Sequence, residues 1–187
     1  MLILASSSPR RKELLKNAGI EFTVKTADIP EFPQPHEAPE AFARRLAREK
    51  AAAIWKNSPQ AFVLAADTIV VTPDEVLGKP ADPSDAARML RQLSGQTHEV
   101  LTAVCLKTPA GHEDVRHQVT RVHMGAIDEP EIAFYVAHGE PMDKAGAYAI
   151  QGIASRWIDR IEGDFFNVVG LPLALVYRML RDHGAIQ

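Results

Sequence analysis

The stretch Leu2-Ile3-Leu4-Ala5-Ser6-Ser7-Ser8-Pro9-Arg10-Arg11-Lys12-Glu13 sets the pattern for the chain. Leu2 to Ala5 is an apolar run long enough for a buried strand. Pro9 suits the first turn of a helix, Ser8 before it suits the N-cap, and Glu13-Leu14-Leu15 carry that helix on toward Gly19. The charges run against this helix. Arg10, Arg11 and Lys12 fall in the first turn, where the helix dipole is already positive and each exposed cation costs about 0.3–1 kcal/mol. A bound polyanion would reverse that cost, because the hydroxyls of Ser6 to Ser8, free backbone N–H groups and two guanidinium forks converge on one point. The alternative is a solvated basic helix start. The Gly-Lys-Ser/Thr ending of a Walker A loop is missing.

Working outward, strands and helices alternate. Glu21 to Thr26 reads as a strand from its β-branched and aromatic content. Ala27 to Pro39 is a proline-rich loop carrying Asp28, Glu31, His36 and Glu37. Pro39 to Asn57 reads as a long helix, with Phe42, Leu46 and Ile54 at four-residue steps along one face. Lys50 falls on that stripe, flanked by Ala47, Ala51 and Ala53. The ordinary expectation is that its ammonium snorkels to solvent; the other is an alanine-lined path that lets it reach a phosphate. Ala61 to Val71 is a near-continuous apolar run, the pattern of a strand covered on both faces, with Asp67 in its middle. An unpaired carboxylate there costs several kcal/mol, so it must meet a cation, a metal or a dense set of hydrogen bonds. Two readings follow, a structural ion pair or a strand that breaks at Asp67-Thr68 to present the carboxylate, and the second is preferred.

Val76-Leu77 returns as a short strand into Gly78-Lys79-Pro80, where Pro80 holds Lys79 extended and aims its side chain. Pro83 to Leu93 is an amphipathic helix stopped by Ser94-Gly95. Thr97 to Thr108 and Asp114 to Ile127 read as a hairpin turned at Ala110-Gly111. His98, His112, His117 and His123 show no metal-ligand spacing. A helix opens at Glu129-Pro130-Glu131 and closes at His138-Gly139. The small residues Ala145, Gly146, Ala147, Ala149 and Gly152 leave room for another backbone or a flat ligand. Ser155 to Ile161 reads as a strand. Leu173, Val176, Tyr177 and Leu180 form the core stripe of a closing helix between Pro172 and Gly184. The sum is an α/β protein with a mixed sheet.

Composition bounds the function. The 187 residues suit a single domain spanning 1–187 with a real core, and 46% apolar residues is ordinary for a globular chain. A net charge of −3 argues against nucleic acid as a partner, since backbone binding needs a broad basic surface. Cys105 is the only cysteine, which excludes an internal disulfide and fits a reducing compartment. No apolar stretch approaches ~20 residues and no basic segment precedes the first apolar run, so no membrane partner is expected and the reading is a cytoplasmic protein.

Six segments in order carry a resemblance: Ser6 to Arg11, Ala66 to Val70, Gly78 to Pro80, Ser94-Gly95 with His98 and Thr102, Asp143 to Tyr148 with Ile150 to Gly152, and Asn167 to Pro172. Together they resemble the Maf family of nucleoside triphosphate pyrophosphatases, also called septum-formation inhibitors, over nearly the whole chain. The resemblance implies a fold similar to inosine triphosphate pyrophosphatases: an elongated mixed β-sheet with flanking helices, two lobes around a central cleft, and commonly a homodimer. It implies Asp67 as proton acceptor and Arg10, Thr68 and Gln151 as residues that set substrate choice, in the pattern of the branch acting on dTTP and UTP.

The chemistry agrees. Cleaving a triphosphate between its α and β phosphorus atoms needs cations around the oxyanions, a divalent metal and a positioned water. Ser6, Arg10, Arg11, Lys50 and Lys79 are the candidate cradle, and Asp67 the candidate metal ligand and water activator, with Glu31 a second oxygen ligand. Mg²⁺ is the natural ion and Mn²⁺ an acceptable one. A nucleotide-binding regulator of division without turnover would use the same binding residues. A kinase-like phosphotransferase is disfavoured because neither a Walker A nor a kinase loop set is present.

Overall fold

The computed structural model describes residues 1–186. Its strands form one seven-stranded sheet in the order β2-β1-β3-β5-β6-β7, with β4 attached to β3. They are β1 (Leu2–Ala5), β2 (Thr23–Lys25), β3 (Phe62–Val71), β4 (Val76–Leu77), β5 (Thr97–Lys107), β6 (Glu113–Met124) and β7 (Ile158–Glu162). The helices are α1 (Pro9–Asn17), α2 (Pro39–Trp55), α3 (Pro83–Leu93), α4 (Glu129–Ala137), α5 (Phe165–Val169) and α6 (Leu173–Asp182). The sheet is mixed: β1 pairs parallel with β2 and β3, whereas β3–β4 and β6–β7 are antiparallel. The expected α/β class with a mixed sheet and flanking helices is what the chain adopts.

The described residues divide into two compact units, 1–68, 102–118 and 170–186 in the first and 69–101 and 119–169 in the second. In the first, the fully buried Ile3 and Leu4 of β1 and Val63 and Leu64 of β3 lie at the centre. Helix α2 packs on β1 through its buried stripe Phe42, Ala43, Leu46, Ala47 and Lys50. Its far end is fixed where Trp55 Nε1 donates to the Thr108 carbonyl at 3.0 Å. In α6 the buried stripe is Leu175, Val176, Met179 and Leu180, while Tyr177 is exposed. Of the expected stripe, Val176 and Leu180 are buried, whereas Leu173 is half-buried and Tyr177 exposed, so the core face is centred one position away, on Leu175, Val176, Met179 and Leu180.

In the second unit, α3 packs against α4 and against the short 3-10 turns at Glu140–Asp143 and Ala145–Ala147. Helix α4 has a complete capping box, with Asp128 accepting from Glu131 N and Glu131 from Asp128 N. Two sequence expectations are corrected here. Residues 153–157 are a 3-10 turn and the strand begins only at Ile158. Helix α5, too short to show a period, was not expected; buried Asn167 anchors it by donating to the Val100 carbonyl at 2.9 Å and Thr120 Oγ1 at 3.1 Å.

His98 is buried in this unit with Nε2 2.8 Å from Tyr148 Oη. Burial, with a smaller contribution from His123, lowers its pKa to about 4. An unfolded histidine titrates near 6.5, so between those values the unfolded chain binds a proton that the folded chain refuses. The stability His98 contributes is present above about pH 6.5 and is lost as pH falls toward 4, to the extent of about 3 kcal/mol. Urea midpoints measured across that window should fall accordingly in the wild type, and His98→Gln should flatten the slope. An unchanged slope in the variant would remove His98 as its source.

Candidate active site

Every titratable side chain that the sequence places near Asp67, apart from Lys79, belongs to the first unit, and the geometry there starts from β3. The strand runs unbroken through Asp67 and Thr68, so the expected break is corrected: the backbone is tied into the sheet before them, where Phe62 to Leu64 pair with β1, and after them, where Val70 and Val71 pair with β4. Asp67 is only 5% exposed. Its charge is met from α2, where Lys50 Nζ donates to Asp67 Oδ1 at 2.6 Å. Glu31, from the loop after β2, approaches the same ammonium at 2.8 Å. Lys50 is itself 9% exposed, so the snorkelling expectation is also corrected. The alanines beside it let the stem cross the packed face and deliver the ammonium to two carboxylates.

Arg11 turns inward as well. Its Nε donates to the Gly170 carbonyl at 2.8 Å, Nη1 to the Ala66 carbonyl at 2.8 Å and to Ser6 Oγ at 3.3 Å, and Nη2 to Thr68 Oγ1 at 3.0 Å. One guanidinium thus ties the end of β1, the middle of β3 and the segment before α6. Burial lowers its pKa and Arg10 adds to that, while Asp67 and Glu31 oppose it. The signal for this orientation was present in the sequence. Arg11 stands three and four residues before Leu14 and Leu15, which are buried, so it shares their face of α1.

Around this tie the opening loop caps itself. Ser6 Oγ accepts from Ser8 N at 3.2 Å, and Ser8 Oγ from Arg11 N at 3.4 Å. Two of the amides expected to face an anion are therefore already bonded locally, because a serine N-cap competes for them. Arg10 follows Pro9 in the first turn, half-buried. Thr68 Oγ1 also lies 2.9 Å from Thr102 Oγ1, a partner that no sequence signal connected to it. Lys50 thus meets both carboxylates, Asp67 and Glu31, directly, while Arg11 faces the charge of the same two groups and of its neighbour Arg10.

The second unit holds the other two expected residues. Lys79 is exposed on the loop that follows β4, and Gln151 is exposed between Ile150 and Gly152. The space expected around Gln151 is filled by the protein itself. Gly146 donates to the Gly78 carbonyl at 3.0 Å, and a side chain there would meet Val70 at 2.8 Å; one at Gly152 would run into the Glu140 carboxylate. The small residues thus seat the loop on its own neighbours. Among the described residues, no group of three or more His, Cys, Asp or Glu side chains is placed to hold a metal, and no helix is long and apolar enough to cross a membrane.

The family model described as "Maf-like protein" matches residues 1–183. The chain belongs to the Maf-like protein family. A protein of Koribacter versatilis named dTTP/UTP pyrophosphatase is 57% identical over 185 residues, covering 99% of this chain and 95% of that one. A Geobacter metallireducens protein of the same name is 51% identical over 186 residues, with 99% and 97% covered. Among solved structures, the Ham1 protein of Staphylococcus aureus is 12% identical with a TM-score of 0.52, covering 97% of this chain and 98% of its own. A HAM1 protein from Coxiella burnetii is similar at 16% identity and 0.51. At those identities the Ham1 likeness shows the fold alone, and it matches the mixed-sheet architecture of this Maf-like chain.

The buried ion pair generates a stability prediction that separates its structural part from its chemical one. Lys50→Met strands the Asp67 charge and should cost about 3 kcal/mol or more. The double variant Lys50→Met/Asp67→Leu removes both charges and should recover much of that loss. Urea denaturation of the three proteins checks this; a double variant no more stable than the single one would show that packing around Lys50, and not its charge, is what the first unit needs.

Proposed function

We propose that this chain hydrolyses dTTP and UTP to the nucleoside monophosphate and pyrophosphate. The observation that carries the reading is a carboxylate, Asp67, buried in an unbroken strand, paired with Lys50 at 2.6 Å and facing the charge of Arg11. A carboxylate held in that way is positioned to take a proton from an attacking water, and the surrounding cations suit the oxyanions of a polyphosphate. The names of the relatives described above supply the substrates.

In this reading Asp67 accepts the proton, and Lys50 compensates the charge that burial isolates. Arg10 faces phosphate, and Ser6, Arg11 and Thr68 hold the framework that keeps Asp67 and the phosphates in register. Lys79, exposed and aimed by Pro80, contributes a further cation to the triphosphate. Asp67 and Glu31 would hold a divalent ion. They already converge on one cation, the Lys50 ammonium, and two carboxylates are a usual protein share of a Mg²⁺ site whose other ligands are waters and phosphates. When bound, the ion supplies charge neutralisation at the phosphoanhydride. Gln151 reads the base: a primary amide carries one acceptor and two donors, which match the N3–H and carbonyls of uracil and thymine but mismatch cytosine.

A homodimer in the cytoplasm completes the proposal. Support for a reducing compartment comes from cysteine usage: Cys105 is the only cysteine and stands free.

The deciding assay is a panel of nucleoside triphosphates with Mg²⁺, reading pyrophosphate against orthophosphate. Pyrophosphate should appear, fastest from UTP and dTTP; orthophosphate alone, or CTP turned over as well as UTP, would overturn the assignment. Asp67→Asn should lower kcat at least ~10²-fold with the circular dichroism spectrum retained. Normal activity in whatever fraction of that variant remains soluble would reduce Asp67 to a structural ion-pair partner.

A further inference from the structure

We propose that Glu140 and Tyr135 are specificity-positioning residues, forming a hydrogen-bonded bracket that fixes the backbone on both sides of Gln151. The inference rests on the reading of Gln151 as the base-contacting residue.

The bracket is a continuous chain of bonds. On the N-terminal side of Gln151, Ala149 N donates to Tyr135 Oη at 3.2 Å. Tyr135 Oη donates in turn to Glu140 Oε1 at 2.8 Å. On the C-terminal side, Ile153 N donates to the same carboxylate, 3.1 Å from Oε1 and 3.3 Å from Oε2. Gly152 closes over the carboxylate so tightly that no side chain fits between them. The residues two before and two after Gln151 are thus held by one tyrosine–glutamate unit.

That unit is itself rigid. Tyr135 is fully buried, and its ring meets Trp157 edge to face at 5.3 Å. Trp157 Nε1 is anchored on Glu131 Oε1 at 3.0 Å, within the capping box that starts α4. Burial and the bond to Glu140 raise the tyrosine pKa, so the hydroxyl keeps its proton and remains a donor. Lys144 Nζ holds the Glu140 backbone carbonyl at 2.6 Å. Gln151 stays exposed on this frame. The arrangement is what a discriminating amide requires: hydrogen-bond recognition rejects a wrong base only if the reading group cannot move to accommodate it.

The experiment compares kcat/KM for UTP and CTP in Gln151→Ala, Tyr135→Phe, Glu140→Ala and Glu140→Gln. Tyr135→Phe removes only the hydroxyl that joins Ala149 to Glu140, and should lower the UTP-over-CTP ratio on the order of tenfold, the scale of one lost hydrogen bond. Glu140→Ala should lower it at least as far, and Glu140→Gln, which keeps an acceptor oxygen, should restore most of it. Amide hydrogen exchange supplies a second readout independent of yield: the Ala149 and Ile153 amides should exchange faster in Tyr135→Phe. If Gln151→Ala erodes the ratio while Tyr135→Phe and Glu140→Ala change only melting temperature, or slow both substrates equally, the bracket is structural and the inference is overturned. If Gln151→Ala itself leaves the ratio intact, the reading of Gln151 fails first and the bracket with it. Unchanged exchange at both amides in Tyr135→Phe would also overturn the inference.

Discussion

Putting a carboxylate in the middle of a strand that packs on both faces creates a demand that the rest of the first unit answers. Asp67 cannot be left uncompensated there, and no nearby position on β3 can supply a cation without breaking the apolar run. The compensation comes from α2, which spends one position of its buried stripe on Lys50. That choice propagates. The helix must present alanines beside the lysine so that its stem can pass, and the loop before the helix must bring Glu31 to the same ammonium. What looks in isolation like an imperfect amphipathic helix is a helix built to carry one charge inward.

Arg11 obeys the same logic from the other side of the strand. A guanidinium offers five donors in a fixed plane, and here they reach three stretches of chain far apart in sequence. Its acceptors are neutral carbonyls and hydroxyls, so it contributes geometry while keeping its own charge. Adjacent residues of one helix turn therefore divide the labour: Arg11 is built into the framework, and Arg10 lies at its edge. Their neighbour Ser8 caps the helix and leaves its dipole pointing at the same region.

Much of this was legible in the chain. The start of α1 was marked by Ser8 and Pro9, the buried strand by the apolar run around Asp67, and the hairpin by Ala110-Gly111, because each depends on residues close in sequence. The destinations of Lys50 and Arg11 were harder to read. A lysine on an apolar face has two physically sound outcomes, and only the position of the strand 17 residues later selects between them. The strand's continuity through Asp67 was missed for the same reason, since a paired carboxylate does not require the backbone to bend. Helix α5 was missed because five residues are too few to show a period. The partnership of Tyr135 with Glu140 joins groups whose bonding depends on a sharp turn, which composition does not reveal. Lys79 was marked by the proline that follows it and Gln151 through a family motif, and the geometry adds their exposure.

Burial of Cys105 has a practical consequence. Its side chain lies within the first unit with no surface exposed, and its thiol stays protonated well above neutral pH. A thiol-directed dye or spin label meets no reactive sulfur on the folded native chain. A single cysteine introduced at any exposed position becomes a selective attachment point, and the wild-type protein serves as its own unlabelled control without any background substitution.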